Sequence, residues 1–183
     1  MKIEQLALWA LLGISFAGVC SAQTYSGFEA PKDLGGLEGT SILYVRKENG
    51  SVLTAPRLPS QVGFSDVQLS PDRRRVGWVA LMPSTSTSYP IPMRVVIFKG
   101  DKIERVIDGE SCVFGWTFQN RGKDVAYFLE TLHFSSGKMA MLREVASGKL
   151  LASYGLKRVD GDIPDGVLKH APRWVREIPN IER

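Results

Sequence analysis

Two histidines and Cys112, the one thiol left after the predicted cleavage before Gln23 removes Cys20, are the groups best suited to acid–base or nucleophilic chemistry near neutral pH. His133 lies in an apolar stretch with strand character, and His170 lies in a basic tail, where we expect it to be exposed. Serine hydrolases often place the nucleophile in a G-x-S-x-G turn, and the sequence contains no such pattern. We therefore predict no catalytic histidine, and we expect Cys112, within the apolar run 111–114, to be a buried small residue.

One acidic run resembles the start of a calcium-binding loop. It contains Asp160, Asp162 and Asp165. The pattern then fails, because Pro164 stands where a ligand is needed and Ala171 stands where the closing glutamate belongs. Zinc would require three or four Cys, His or carboxylate ligands at workable spacing, which the sequence does not offer. The sequence predicts neither a metal nor a cofactor.

A pair of carboxylates is the enzymatic alternative that the sequence leaves open. Hydrolases that cut envelope polymers or peptides can use two Asp or Glu side chains as general acid and general base. The two carboxyl groups then face each other across a cleft at about 5 to 10 Å. Sequence spacing does not reveal which carboxylates meet, so a secreted hydrolase is kept as the alternative to a binding protein.

Aromatic residues outside the predicted strands are candidates for contact with a partner. Four aromatic residues fall within predicted strands, where the core is their expected place: Trp78, Trp116, Tyr127 and Phe128. Tyr89 and Trp174 lie outside regular strands, and we predict that they contact a partner. Arg73 is a third candidate, because the basic cluster 73–75 is predicted to form a solvated loop tip.

The first 22 residues have the organisation of a secretory signal peptide. A basic start is followed by an apolar stretch at 6–19, and small residues precede a cleavage site before Gln23. The apolar stretch holds about 14 residues, fewer than the roughly 20 that cross a bilayer. We therefore expect residues 23–183 to form a periplasmic or secreted protein with no stable membrane span after cleavage.

Lipidation of the leader is a less favoured alternative. A bacterial lipoprotein would be cut before Cys20 and lipidated there. Val19 stands where the lipoprotein peptidase requires a small residue, and the usual leucine is missing. Cleavage before Gln23 is the better fit to the sequence.

The charge of the chain excludes one class of partner. The net charge is +4 at pH 7, a small excess that is spread along the sequence. Nucleic-acid-binding domains concentrate more basic charge on one face, and nucleic acid is not expected outside the cytoplasm. We expect the partner to be a protein of the bacterial cell envelope, contacted through loops and the tail. The sequence leaves oligomer formation open.

Alternation of apolar and polar residues predicts an all-β domain from about residue 40 to 155. Asn49-Gly50 is the strongest hairpin signal, because both residues tolerate positive φ. Further tight turns are predicted at Gly100-Asp101, Arg121-Gly122 and Ser147-Gly148. A flap from about residue 156, with a short helix opening at Pro172, completes a single β domain spanning residues 23–183.

Two stretches of the chain predict a repeated strand–turn–strand unit. Residues 69–79 align without a gap with residues 118–128. The following hairpins also correspond, since residues 99–103 match residues 145–150. A period of about fifty residues made of four short strands is typical of one propeller blade.

The first copy resembles the TolB-type, WD-like propeller repeats of secreted bacterial proteins. The resemblance is carried by Ser70-Pro71-Asp72, a following basic residue and Val76-Gly77-Trp78, which are similar to the family turn S-P-D-G-K-x-I-A-F. Arg73 stands where the family has glycine, whereas the second copy keeps Gly122 but lacks Ser-Pro-Asp. The family motif is structural, so the resemblance implies a fold and no particular activity.

The length of the chain limits the architecture. Closed propellers need four to eight blades, whereas residues 23–183 have room for about three. We predict two or three blade-like antiparallel sheets, packed as a compact sandwich or partial propeller, with a short C-terminal helix covering a sheet edge. A ring completed by other copies of the chain is the alternative. Together these features favour a non-catalytic extracytoplasmic binding or scaffold protein.

Overall fold

The computed structural model describes residues 23–34, 39–108, 111–130, 138–156, 163 and 165–182. The predicted signal peptide at 1–22, with Cys20, lies outside the described residues, as do His133 and Asp160. The described part is mostly β-strand, arranged in three antiparallel sheets with two short helices at its C-terminal end. The predicted all-β class is confirmed.

The elements follow one another in simple order along the chain. The strands are β1 (Tyr25–Glu29), β2 (Gly39–Thr40), β3 (Tyr44–Lys47), β4 (Val52–Thr54), β5 (Gly63–Leu69), β6 (Val76–Met82), β7 (Ile91–Lys99), β8 (Lys102–Asp108), β9 (Cys112–Gln119), β10 (Asp124–Glu130), β11 (Lys138–Glu144) and β12 (Leu150–Leu156), and the helices are α1 (Asp165–His170) and α2 (Arg173–Arg176). Sheet A has the strand order β1-β3-β4, sheet B the order β2-β5-β6-β7-β8, and sheet C the order β9-β10-β11-β12.

The three sheets are stacked, and sheet B lies in the middle. Strand β6 turns Val76, Trp78 and Ala80 toward sheet A, whereas Val79 packs against residues of sheet C. Successive residues of a strand point to opposite faces, so β6 is buried on both sides. This double burial explains why β6 is an almost continuous apolar run.

The C-terminal helices cover the outer face of sheet C. Strand β10 directs Val125 and Tyr127 toward sheet B, whereas Ala126 and Phe128 pack against the C-terminal segment that includes Val175. The prediction that this segment covers a sheet edge is therefore wrong. The residues of β10 on this face, Ala126 and Phe128, are apolar. They have to be shielded from water, and the C-terminal segment packs over them.

The two aligned stretches adopt the same strand–turn–strand arrangement. Residues 69–79 run from the end of β5 through a turn into β6, and residues 118–128 run from the end of β9 into β10. At aligned positions in the two turns, Arg73 has φ 56° and Gly122 has φ 91°. Both copies therefore place a left-handed residue at the same point, although only the second uses glycine there. The second turn also differs, because it is a short 3-10 helix (Asn120–Gly122) in which Asn120 and Arg121 have positive φ as well.

Several local predictions can be compared with the structure. The Asn49-Gly50 hairpin joins β3 to β4, with Gly50 at φ 83°. Arg73 and Arg74 are exposed as predicted, but Arg75 is buried, and its Nε lies 2.6 Å from a carboxylate oxygen of Glu104. The prediction of a solvated loop tip is wrong for Arg75, because this residue immediately precedes the buried strand β6.

The predicted core aromatics are all buried: Trp78, Trp116, Tyr127 and Phe128.

Candidate functional site

Irregularities in three strands meet at one end of the interface between sheets B and C. In β5, Asp66 and Val67 together face a single position of β6, and Asp66 has φ 49°. In β7, Met93 has no partner in the ladder with β6, and in β9 Phe114 has none in the ladder with β10. These are β-bulges, which bend strands and redirect side chains, often at functional sites.

The bulged strands and the loop between β6 and β7 form a groove of about 250 Å³. Its lining is mostly apolar and includes two prolines and two aromatic rings: Ser65, Asp66, Leu81, Tyr89, Pro90, Pro92, Val113, Phe114 and Asn180. The Tyr89 side chain is 53% exposed and that of Phe114 is 39% exposed. Both rings are therefore available to a binding partner.

Hydrogen bonds between the sheets hold the floor of the groove. The indole Nε1 of Trp116 donates to the carbonyl oxygen of Asp66 at 2.9 Å. In return, the Gln68 side-chain amide donates to the carbonyl oxygen of Trp116 at 2.7 Å. The two bonds satisfy backbone oxygens at the bulge and tie β5 to β9. The groove is thus supported by rigid elements on both sides.

The chain after α2 provides one rim of the groove. Asn180 lines it in a left-handed conformation, with φ 60°. The following residue, Ile181, is held by sheet C. The buried Lys138 ammonium of β11 donates a hydrogen bond to the carbonyl oxygen of Ile181 at 3.2 Å. Lys138 also lies 4.8 Å from the centre of the Phe128 ring and 3.9 Å from a carboxylate oxygen of Glu130. The buried cation therefore attaches the tail to sheet C.

The three residues predicted to contact a partner lie in separate places. Tyr89 lines the groove. Trp174 is part of α2 and packs half-buried against the cluster between sheet C and the helices. Arg73 is exposed in the turn between β5 and β6, where its side chain lies 3.5 Å from Glu48. The structure brings none of these three residues together.

Phe114 is the groove residue that the sequence analysis missed. It was grouped with Cys112 in an apolar run that predicts a buried strand segment. Regular alternation would give Phe114 and Cys112 the same surroundings, yet Cys112 is buried and Phe114 is exposed. The bulge causes this difference, and Gly115 beside the bulge is the signal that could have indicated it.

Two further cavities occur in the described part of the chain. One, of about 350 Å³, is lined by residues of the C-terminal segment including Lys169, Arg176 and Glu182. The other, of about 210 Å³, shares Asp66 with the groove. Among the described residues, the lining of each of the three cavities contains a single carboxylate. The acid–base pair of the hydrolase alternative therefore gains no supporting observation from these cavities.

Cys112 sits away from solvent at the start of β9. Its side chain is 2% exposed, which confirms the predicted burial. Burial raises the pKa of the Cys112 thiol, and the negative charge of Glu130 raises it further. The reactive thiolate is disfavoured in such surroundings. No group of three or more potential metal ligands occurs among the residues that the structure describes.

Comparison of the sequence with protein-family models and with curated proteins finds no match. Within the described ranges, no helix has the length and apolar character needed to cross a membrane.

Proposed function

We propose that this chain is a non-catalytic extracytoplasmic binding or scaffold protein whose groove receives an apolar segment of a partner protein. The observation that carries the proposal is the convergence of three bulged strands on a groove where Tyr89 and Phe114 are exposed. The bulge in β9 turns Phe114 outward and gives up core packing at that position, and the loop between β6 and β7 places Tyr89 beside it. A binding role provides the physical reason for retaining this bulge.

The size of the groove favours a protein partner over a small ligand. Small-molecule sites usually enclose about 300 to 1,000 Å³, and this groove encloses about 250 Å³. That volume suits one or two apolar side chains inserted from another protein. Aromatic rings at a rigid surface are typical centres of binding energy in such interfaces.

The location and the family likeness belong to the same proposal. The leader at 1–22 supports export, and the envelope is the compartment in which we expect the partner. We regard β5–β8 and β9–β12 as two blade-like units of the TolB type. Their common four-strand order and the matched turns at Arg73 and Gly122 support this reading.

Capture experiments with matched variants test the proposal. The purified chain, Tyr89→Ala, Phe114→Ala and the control Val52→Ala would each be used to capture proteins from a cell-envelope extract. Val52 is an exposed apolar residue on sheet A, away from the groove. Circular dichroism would establish that all four proteins fold alike.

The expected result is one partner retained by the purified chain and by Val52→Ala, and lost from both groove variants. Removing a central interface tyrosine typically costs about 2 kcal/mol, which corresponds to at least a tenfold loss of affinity. Capture that is unaffected by both Tyr89→Ala and Phe114→Ala, or no capture by any of the four, would contradict the proposal.

A further inference from the structure

The cavity of about 350 Å³ in the C-terminal segment has the size of a small-molecule site. Such sites usually enclose about 300 to 1,000 Å³. Its lining comes from the chain before α1, the last turn of α1, the end of α2 and the chain after α2: Ile163, Leu168, Lys169, Arg176, Ile181 and Glu182. Among the described residues it has no lining residue in common with the Tyr89 groove, so the inference does not depend on the proposed function.

The apolar side of the cavity is already ordered by the fold. Ile163 and Ile181 are buried in the cluster between sheet C and the C-terminal segment, and Leu168 packs half-buried against that cluster. The carbonyl oxygen of Ile181 is held by the Lys138 ammonium at 3.2 Å. A wall that is ordered in advance binds an apolar group at a low entropic cost.

The polar side of the cavity carries two exposed cations, Lys169 and Arg176. Within the described ranges, neither side chain takes part in an ion pair or a hydrogen bond. Arg173 of the same helix differs, because its Nε lies 2.6 Å from a carboxylate oxygen of Glu177. The pKa of Glu177 is lowered mainly by its hydrogen bond from Arg173, and the charge of Arg176 is a minor contribution. The two lining cations are thus available to an anion.

We propose that this cavity binds a small amphiphilic carboxylate, an apolar chain that ends in one carboxylate group. The apolar chain contacts Ile163, Leu168 and Ile181. The carboxylate accepts hydrogen bonds from Lys169 and from Arg176, whose planar guanidinium matches the two carboxylate oxygens.

Glu182 determines the charge that suits the cavity. It is the single carboxylate among the described lining residues, so the two cations leave one net positive charge. One carboxylate balances that charge, whereas a phosphate monoester brings about 1.5 to 2 negative charges at pH 7. The excess negative charge of a phosphate would face Glu182. This balance is what favours a carboxylate over a phosphate.

Two-dimensional NMR of the isotope-labelled chain, titrated with octanoate, tests the proposal. We expect saturable shifts at the backbone amides of the cavity and none at Tyr89 or Phe114. Affinity should fall by up to about fourfold for each methylene removed between octanoate and butanoate, because less apolar surface is buried. Octan-1-ol, which lacks the charge, and octyl phosphate, which carries too much of it, should both bind more weakly.

Matched variants identify the cations that hold the carboxylate. Lys169→Gln and Arg176→Gln should each weaken octanoate binding about two- to fivefold and leave octan-1-ol binding unchanged. Arg173→Gln removes an exposed cation of α2 outside the lining and should bind octanoate like the unmodified chain. Glu182→Gln should narrow the difference between octanoate and octyl phosphate.

All four substitutions are at exposed positions, and the NMR spectra establish that each variant is folded. An absence of saturable shifts with octanoate, or an equal affinity for octan-1-ol, would overturn the proposal. Tighter binding of octyl phosphate than of octanoate, or the same loss from Arg173→Gln as from Arg176→Gln, would overturn it as well.

Discussion

Replacing Gly122 by alanine tests whether the turns of the two repeated units pack against each other. Gly122 has φ 91°, a conformation that L-residues rarely adopt. A Cβ added there would lie 2.8 Å from the Cβ of Ser70 and 3.2 Å from a carboxylate oxygen of Asp72. The turn of the second unit is thus in direct contact with the turn of the first.

The expected cost combines backbone strain with a steric clash. A left-handed L-residue costs about 1 to 2 kcal/mol. Overpacking against a fixed neighbour adds about 1 to 3 kcal/mol. Alanine also lowers the conformational entropy of the unfolded chain, which offsets about 0.4 to 1 kcal/mol of this cost. Gly122→Ala should therefore lower the free energy of unfolding by about 1 to 4.5 kcal/mol, of which the clash supplies about 1 to 3 kcal/mol.

Gly50→Ala provides the matched control. Gly50 has φ 83°, and an added Cβ there meets no atom within 4 Å. This substitution should cost about 1 kcal/mol from strain alone. Urea unfolding followed by circular dichroism gives both values, provided that the slope with denaturant is unchanged. Equal costs for the two substitutions, within about 0.5 kcal/mol, would refute the packing of the repeated turns.

Two other predictions concern ionisable groups. Burial raises the pKa of the Glu104 carboxyl, but hydrogen bonds and charge from Arg75, together with Lys99, outweigh this and leave the pKa below its ordinary value of 4.5. The folded pKa is thus below the unfolded one, so this stabilisation is present above pH 4.5 and is lost as pH falls through the folded value. Glu104→Gln should lower the free energy of unfolding, measured with urea, by about 1 to 3 kcal/mol at pH 7 and by less at pH 3. The same loss at both pH values would contradict this prediction. Burial of Cys112 predicts that a disulfide reagent at pH 8 labels the folded chain at least about a hundredfold more slowly than the denatured chain. Similar labelling rates would show that the thiol is accessible.

The local signals of the sequence predicted the strand framework well. Asn49-Gly50 marks its hairpin because positive φ is a local requirement. The repeated unit places a strand after the turn at Arg73, and the structure has β6 at that position. The repeat between residues 69–79 and 118–128 placed the two matched turns, since both depend on short-range backbone geometry.

The features that the sequence did not reveal depend on contacts between distant segments. Phe114 is exposed because of a bulge, and a bulge is defined only by pairing with another strand. Arg75 is buried because Glu104, far along the chain, supplies a carboxylate beside it. β1 was not predicted, because it exists through its pairing with β3 and through the turn at Arg73, whose carbonyl accepts a hydrogen bond from the backbone N–H of Tyr25, the one buried residue of this strand.

Photo-crosslinking from the groove tests the central claim most directly. A photoreactive phenylalanine analogue would replace Tyr89 in the exported protein in intact cells, and Val52 in a parallel control. We predict one crosslinked protein product from position 89 that is absent from position 52, and that disappears when Phe114→Ala is added. Identical products from both positions, or no product from position 89, would contradict a binding role for the groove.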